Sequence, residues 1–566
     1  MQIKFTMQTT FVRMLVLSVG MMTVARPVFS ADNAFFKPFD GSSSGDFDTA
    51  ENWYLWESYQ VSHKLGKVPD GCEVYLRLAG QTVICTNDHT VNNLEVKSSD
   101  ATRPNTFVLD GNCTLKPWLT KIFNAGYLDI RAGSTLRSRM SGDGAFCLDV
   151  GGEEWAVVTN AGTLAVGAKL VHWRLGKDAG TKGRYVFCPG AEQSFTDTNH
   201  QHDLYVGVEG EGELDILAGA EFKWAVDPWS RNLSKVQVGG TPEVESRVIV
   251  RDQAKFSVAY LYLGGYPDHV KGHGCIELRG GQIVQPADNG YGGGQYRPNY
   301  FIGACPSTDG APDPDCYGRI RGWGSFGHGQ NASGSRGITA NFGYGEIIAD
   351  GEGEDRYLNC TDIYLVTNVV FGTGLTASGW RAVNKGRLGL PPAQIDSCAA
   401  GTVESVCVGC SPRLEKPDLV NAVRVKMRRK AVTYNPYIGV QVLATDSELA
   451  HAAPLTAKGN VLGVWQVGMF NTGWEREKTA ARKEYEAFDV AFRCDQTKLL
   501  GTDTHLCLYR YSEADGRWQK LTSCARPDDM IVSSGDLNLA PLDEAYTMGT
   551  FAVVEQEERG MVILFR

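Results

Sequence analysis

Three short stretches carry residue types that could do chemistry. The first is His269-Val270-Lys271-Gly272-His273, with Tyr266 and Asp268 just before it. An imidazole base beside an ammonium group is the pairing a polysaccharide lyase needs, one to take a ring proton and the other to neutralise a uronate carboxylate. The second is His200-Gln201-His202-Asp203, with Asp197 upstream. On a strand, His200 and His202 would project from one face, as a pair of metal ligands must. The third is Asp350-Gly351-Glu352-Gly353-Glu354-Asp355. Two of its carboxylates could serve glycoside cleavage if held at a fixed separation across a sugar ring, and the same turn could hold Ca²⁺, the one cofactor considered. Each stretch also reads as an ordinary solvated loop. The catalytic candidates are therefore His269, Lys271 and His273, the metal candidates His200, His202 and Asp203, and none of them names a reaction.

Aromatic residues in Gly-rich stretches point to binding. Tyr291, Tyr296, Tyr300 and Trp323, with Phe326, could form a stacking platform for sugars, or could cover the flank of the fold. Walker A, H-E-x-x-H and G-x-S-x-G patterns are absent, and the Gly-x-Gly groups open strands rather than helices, which excludes a dinucleotide fingerprint.

The elements that must position these residues repeat. From Tyr205 the chain reads Val206-Gly207, then a Gly-rich gap, then Leu214-Asp215-Ile216 and Gly219. The pattern returns as Leu263-Gly264 with Ile276-Glu277-Leu278 and Gly280, and more loosely as Val238-Gly239 with Val248-Ile249-Val250 and as Ile302-Gly303 with Tyr317-Gly318-Arg319-Ile320. Half-copies lie at Leu128-Asp129-Ile130 with Gly133 and at Leu164-Ala165-Val166 with Gly167. Such spacing means stacked units of short period-2 strands, with one face inward, one toward water, and glycine at the corners. Copies stand 32 residues apart from Gly207 to Gly239 but 25 from Gly239 to Gly264, so loops of unequal length must project.

Composition sets limits on partners and place. The chain has 566 residues, 65 of them glycine, and a formal charge of -10. The first 30 residues hold Lys4, Arg13 and Arg26 and no acid, so the remainder carries 52 basic against 65 acidic residues. That acidity argues against nucleic acid as a partner. Met14 to Ala25 is an apolar run behind two cations and before Val28-Phe29-Ser30, which reads as a secretory signal peptide over 1–30. No later stretch is apolar enough to form a transmembrane helix, so a secreted or cell-surface location is expected.

Export permits disulfides among the 15 cysteines. The short-range candidates are Cys72 with Cys85, Cys305 with Cys316, and Cys494 or Cys507 with Cys524, while Cys147, Cys188 and Cys275 read as free thiols on strands.

The repeat resembles that of exported bacterial β-solenoids, a group that includes autotransporter passengers and pectin-lyase-like proteins. Asn52-Trp53 and the Pro69-Asp70-Gly71 turn resemble the opening of such proteins, where Trp53 would cap the stack. The series Leu508-Tyr509-Arg510-Tyr511, Trp518 and Gly549-Thr550-Phe551-Ala552-Val553 resembles a C-terminal β-sandwich of many exported proteins. The expectation is an all-β chain: a right-handed parallel β-helix over 31–385 with an N-terminal cap, a Cys/Pro-rich linker tied by disulfides over 386–420, and a β-sandwich over 421–566. The resemblance implies scaffold more than activity. The reading is a scaffold that binds a polysaccharide or a cell-envelope component without catalysis, with an extracellular polysaccharide lyase or glycoside hydrolase as the alternative.

Overall fold

In the computed structural model, alternating apolar positions form stacked parallel strands. The structure describes the chain from 33 to 557 except for 38–41, 58–59, 139–141, 167, 196–201, 225–234, 259, 267–269, 285–298, 304–314, 329–337, 343, 352–355, 361–362, 366–379, 385–386, 391–392, 396–399, 410–414, 418–419, 431–436, 444–452, 471–484, 502–503, 513 and 543–547. The expected signal peptide, His200, His269, Tyr291, Tyr296 and Cys305 lie outside the described residues.

The chain visits three sheets in rotation. Leu119–Phe123, Gly126–Ile130 and Thr135–Arg137 join the first, second and third sheets, and the next pass adds Gly142–Val150, Ala156–Asn160 and Thr163–Val166 to the same three. Like stacks on like: Ile122 pairs with Val150, Leu128 with Val158, and Leu136 with Leu164, all parallel. Rungs in such a stack lie ~4.8 Å apart. The first sheet holds 14 strands and is parallel except at its N-terminal edge. The all-β chain with long parallel sheets is compatible with a β-helix.

The inward positions form apolar columns. Leu148, Trp173, Leu204, Val236, Leu261 and Tyr300 are successive partners in the first sheet, and all are buried. Trp173 meets Trp224 edge-on at 4.9 Å, and the indole N–H of Trp224 donates to the His202 carbonyl at 2.9 Å. Buried indoles need such an acceptor. At the N-terminal end, the antiparallel strand Trp53–Glu57 covers the edge strand Asn33–Phe36, with Trp53 packed against Phe36 and Phe47.

After the last parallel rungs the pairing turns antiparallel. Tyr437–Leu443, Asn460–Phe470, Gly549–Glu557, Thr504–Ser512 and Arg517–Ala525 pair in that order, and Val403–Val408, Val423–Arg429, Tyr485–Arg493 and Ile531–Ser533 form a four-stranded sheet. Trp465 and Phe551 of one sheet pack on Phe492 of the other at 4.8 and 5.3 Å. Leu388 and Ala393 pair with Val442 and Ile438, so the antiparallel part is hydrogen-bonded to the parallel part.

The stretch 386–420, expected as a linker, contains the edge strand Val403–Val408, in which Val406, Cys407 and Val408 are buried. Two expectations need correction. The cysteine pairs Cys72 with Cys85, and Cys494 or Cys507 with Cys524, are not bonded to each other. Sequence proximity is a poor guide here, because each rung sends neighbouring residues away from one another. Finally, Asp215 does not face water. It is fully buried because Arg184 and Arg251, from the rungs on either side, fold over it at 2.5 and 2.7 Å.

Candidate functional site

The outer face of the second sheet brings two of the catalytic candidates together. Its strands Glu245–Arg251, Val270–Val284, Cys316–His328 and Tyr344–Ala349 stack in parallel. Val248, Ile276, Ile320 and Ile347 point inward and are buried. The alternate positions therefore point outward, in ranks across the strands. One rank is Glu245, His273, Tyr317 and Tyr344, and the next is Arg247, Cys275, Arg319 and Glu346.

Glycine corners in the first sheet position the aromatic rank. Gly264 has φ +85°, and a β-carbon there would fall 2.1 Å from the Tyr317 carbonyl oxygen. Gly303, φ +61°, stands in the same relation to Tyr344, at 1.6 Å. Any side chain at either corner would push away the strand that carries the ring. The "apolar-Gly" signature thus marks where the first sheet closes on the rank above it.

Lys271 lies opposite Asp315 and pairs with it at 3.1 Å. The His273 ring is 5.5 Å from that of Tyr317, and both are partly exposed. Arg319 lies 5.8 Å from the Tyr317 ring centre and bonds Glu245 at 2.5 Å and Glu346 at 3.5 Å. Burial opposes the charge of Arg319, but Glu245, Cys275 and Glu346 outweigh that and hold its pKa above the ordinary value. Further along, Arg321 bonds Asp350 at 2.6 Å, and the Arg356 guanidinium stacks over Trp323 at 4.5 Å. Burial pushes the Cys275 thiol well up, so it is no nucleophile.

The arrangement offers π-faces flanked by fixed charges. It does not offer a carboxylate pair with open space between its members, since Glu245 and Glu346 both engage Arg319. Asp350 is likewise engaged, and Glu352, Glu354 and Asp355 lie outside the described residues.

Other candidates fall elsewhere. Tyr300 belongs to the core, not to a sugar platform: it is 0% exposed, its hydroxyl donates to the Val258 carbonyl at 2.9 Å, and Phe326 packs on it at 5.9 Å. Its place in an inward column decides this. His202 and Asp203 are buried on the first sheet, and among the described residues no group of three or more His, Cys, Asp or Glu is set to hold a metal. Tyr317 and Tyr344 were not singled out from sequence. The signal was there: Tyr317-Gly318-Arg319-Ile320 aligned on His273-Gly274-Cys275-Ile276 puts ring above ring.

Comparison with protein-family models, curated proteins and solved structures found no match. Among the described residues no helix is long and apolar enough to cross a membrane.

Proposed function

We propose that this protein is an exported right-handed parallel β-helix with a C-terminal β-sandwich, which binds a polysaccharide or cell-envelope glycan at its surface and does not catalyse. The observation that carries this reading is the rank of His273, Tyr317 and Tyr344 beside Arg319 on a partly exposed sheet face. Aromatic faces stack on sugar rings, and paired charges nearby supply hydrogen bonds at fixed positions. Because Lys271, Glu245, Glu346 and Asp350 are each engaged by an opposite charge, the face is suited to holding a ligand rather than to moving protons.

The test is retention of the chain from Ala31 to Arg566 on a panel of immobilised polysaccharides, with new reducing ends and unsaturated-uronate absorbance followed in parallel. Retention without product, lost in Tyr317→Ala, supports the reading. Product from any polymer that is lost in His273→Ala would replace it with the lyase or glycosidase alternative.

A further inference from the structure

The sheet face that carries His273, Tyr317 and Tyr344 is rich in charge, and its cations are already engaged. Every arginine and lysine of its four strands is paired with a carboxylate. Arg247 bonds Glu213 at 2.8 Å, Arg251 bonds Asp215 at 2.7 Å, and Arg279 bonds Glu277 at 2.7 Å. Lys271 bonds Asp315, Arg321 bonds Asp350, and Arg319 bonds both Glu245 and Glu346. Several of these pairs are tied into the stack. Glu213, Asp215 and Glu346 are buried, and Arg319 joins Glu346 on the next strand to Glu245 two strands back. Taking an arginine from such a pair would leave a carboxylate buried without its counter-charge.

A ligand with its own negative charge therefore meets two obstacles. A sulfate or uronate that reaches for Arg319 or Arg321 must displace a carboxylate in contact with that arginine, and it then lies beside a like charge. The chain as a whole repels it too, at a formal charge of -10. An uncharged sugar meets neither. Its hydroxyls can accept from guanidinium N–H groups and donate to carboxylate lone pairs that one ion pair leaves over, so no pair has to break.

We infer that the ligand of this face is an uncharged polysaccharide, and that the ion pairs around the Tyr317 ring select it by excluding sulfated and uronate polymers. The inference rests on the binding reading above and gives it a ligand class. Arg356, outside these four strands, lies on a ring instead of a carboxylate. It stands 4.5 Å over Trp323 and takes one side of that indole, so Tyr317 and Tyr344 carry the stacking.

The experiment measures retention of the full chain on immobilised neutral polymers (cellulose, xylan, mannan) and anionic ones (polygalacturonate, alginate, dextran sulfate) at low and high salt. The expected result is retention on a neutral polymer that changes less than about twofold between roughly 0.05 and 0.5 M salt, with none on the anionic set. Retention on an anionic polymer, lost at high salt, would overturn the inference and leave glycan binding in place. Retention on no polymer would overturn both. Asp350→Asn strips Arg321, which is 42% exposed, of its carboxylate and should create salt-sensitive retention on the anionic set. A folded variant without that gain would show that ion pairing is not what excludes those polymers. The salt series on the unaltered chain is decisive even if Asp350→Asn fails to fold.

Discussion

Gly264 and the Tyr317 carbonyl approach each other so closely that no side chain fits between them: a β-carbon on Gly264 would lie 2.1 Å from that oxygen. This contact couples a corner of the first sheet to the rung that presents the Tyr317 ring. Gly264→Ala should therefore cost about 2–4 kcal/mol of stability, from a left-handed backbone plus a backbone clash. Gly180 is the control, since its φ is +75° but nothing lies within 4 Å of a β-carbon there. Gly180→Ala should cost only about 1 kcal/mol, the strain alone. Urea unfolding of the two variants measures the difference, and equal losses would show that close approach is not what Gly264 serves.

Tyr317 and Tyr300 make opposite predictions. Tyr317 is partly exposed, so Tyr317→Ala should change stability by less than about 1 kcal/mol while weakening retention on a bound glycan roughly tenfold. Tyr300 is an inward member of its column, and Tyr300→Ala should cost about 3–5 kcal/mol by leaving a cavity and an unpaired Val258 carbonyl. Denaturant midpoints and affinity electrophoresis on the same preparations separate the two effects.

Asp215 makes the parallel stack sensitive to acid. Burial alone would raise its pKa, but hydrogen bonds and charge from Arg251 and Arg184 prevail and hold it below the ordinary carboxylate value. Since the folded value is lower than the unfolded value of about 3.9, this stabilisation is complete above about pH 4 and is lost as pH falls through the folded value. Asp215→Asn should cost about 3 kcal/mol at pH 7, because it leaves two guanidinium groups facing a neutral amide. The gap from the unaltered chain should narrow below about pH 4. A gap that is constant across an acid titration would remove the carboxylate from this account.

Buried thiols predict where alkylation fails. Desolvation raises the Cys494 and Cys275 thiols far above neutral pH. Iodoacetamide at pH 7.5, about one unit below an ordinary thiol, should leave both unmodified in the native chain and modify both after unfolding. Native-state labelling of either, read by peptide mass spectrometry, would mean that its strand opens.

Leu128-Asp129-Ile130 and its copies were legible without coordinates, because alternation and corner glycines follow from the pleat of a strand and the left-handed backbone of a tight turn. Trp53 at the N-terminal end was legible for a related reason, since an exposed strand edge needs cover. Lys271 and His273 were legible as a cation and a base close in sequence, but as loop residues rather than as members of the strand Val270–Val284. Register decided the rest. Register alone sets His273 against Tyr317, buries Asp215 between Arg184 and Arg251, and turns Tyr300 inward while Trp323 faces Arg356. The sequence specifies which residues alternate within each strand. Loops of unequal length hide how the strands align, and only the packed stack, in which slipping one strand by a residue would exchange its buried and exposed faces, settles which residue lies above which.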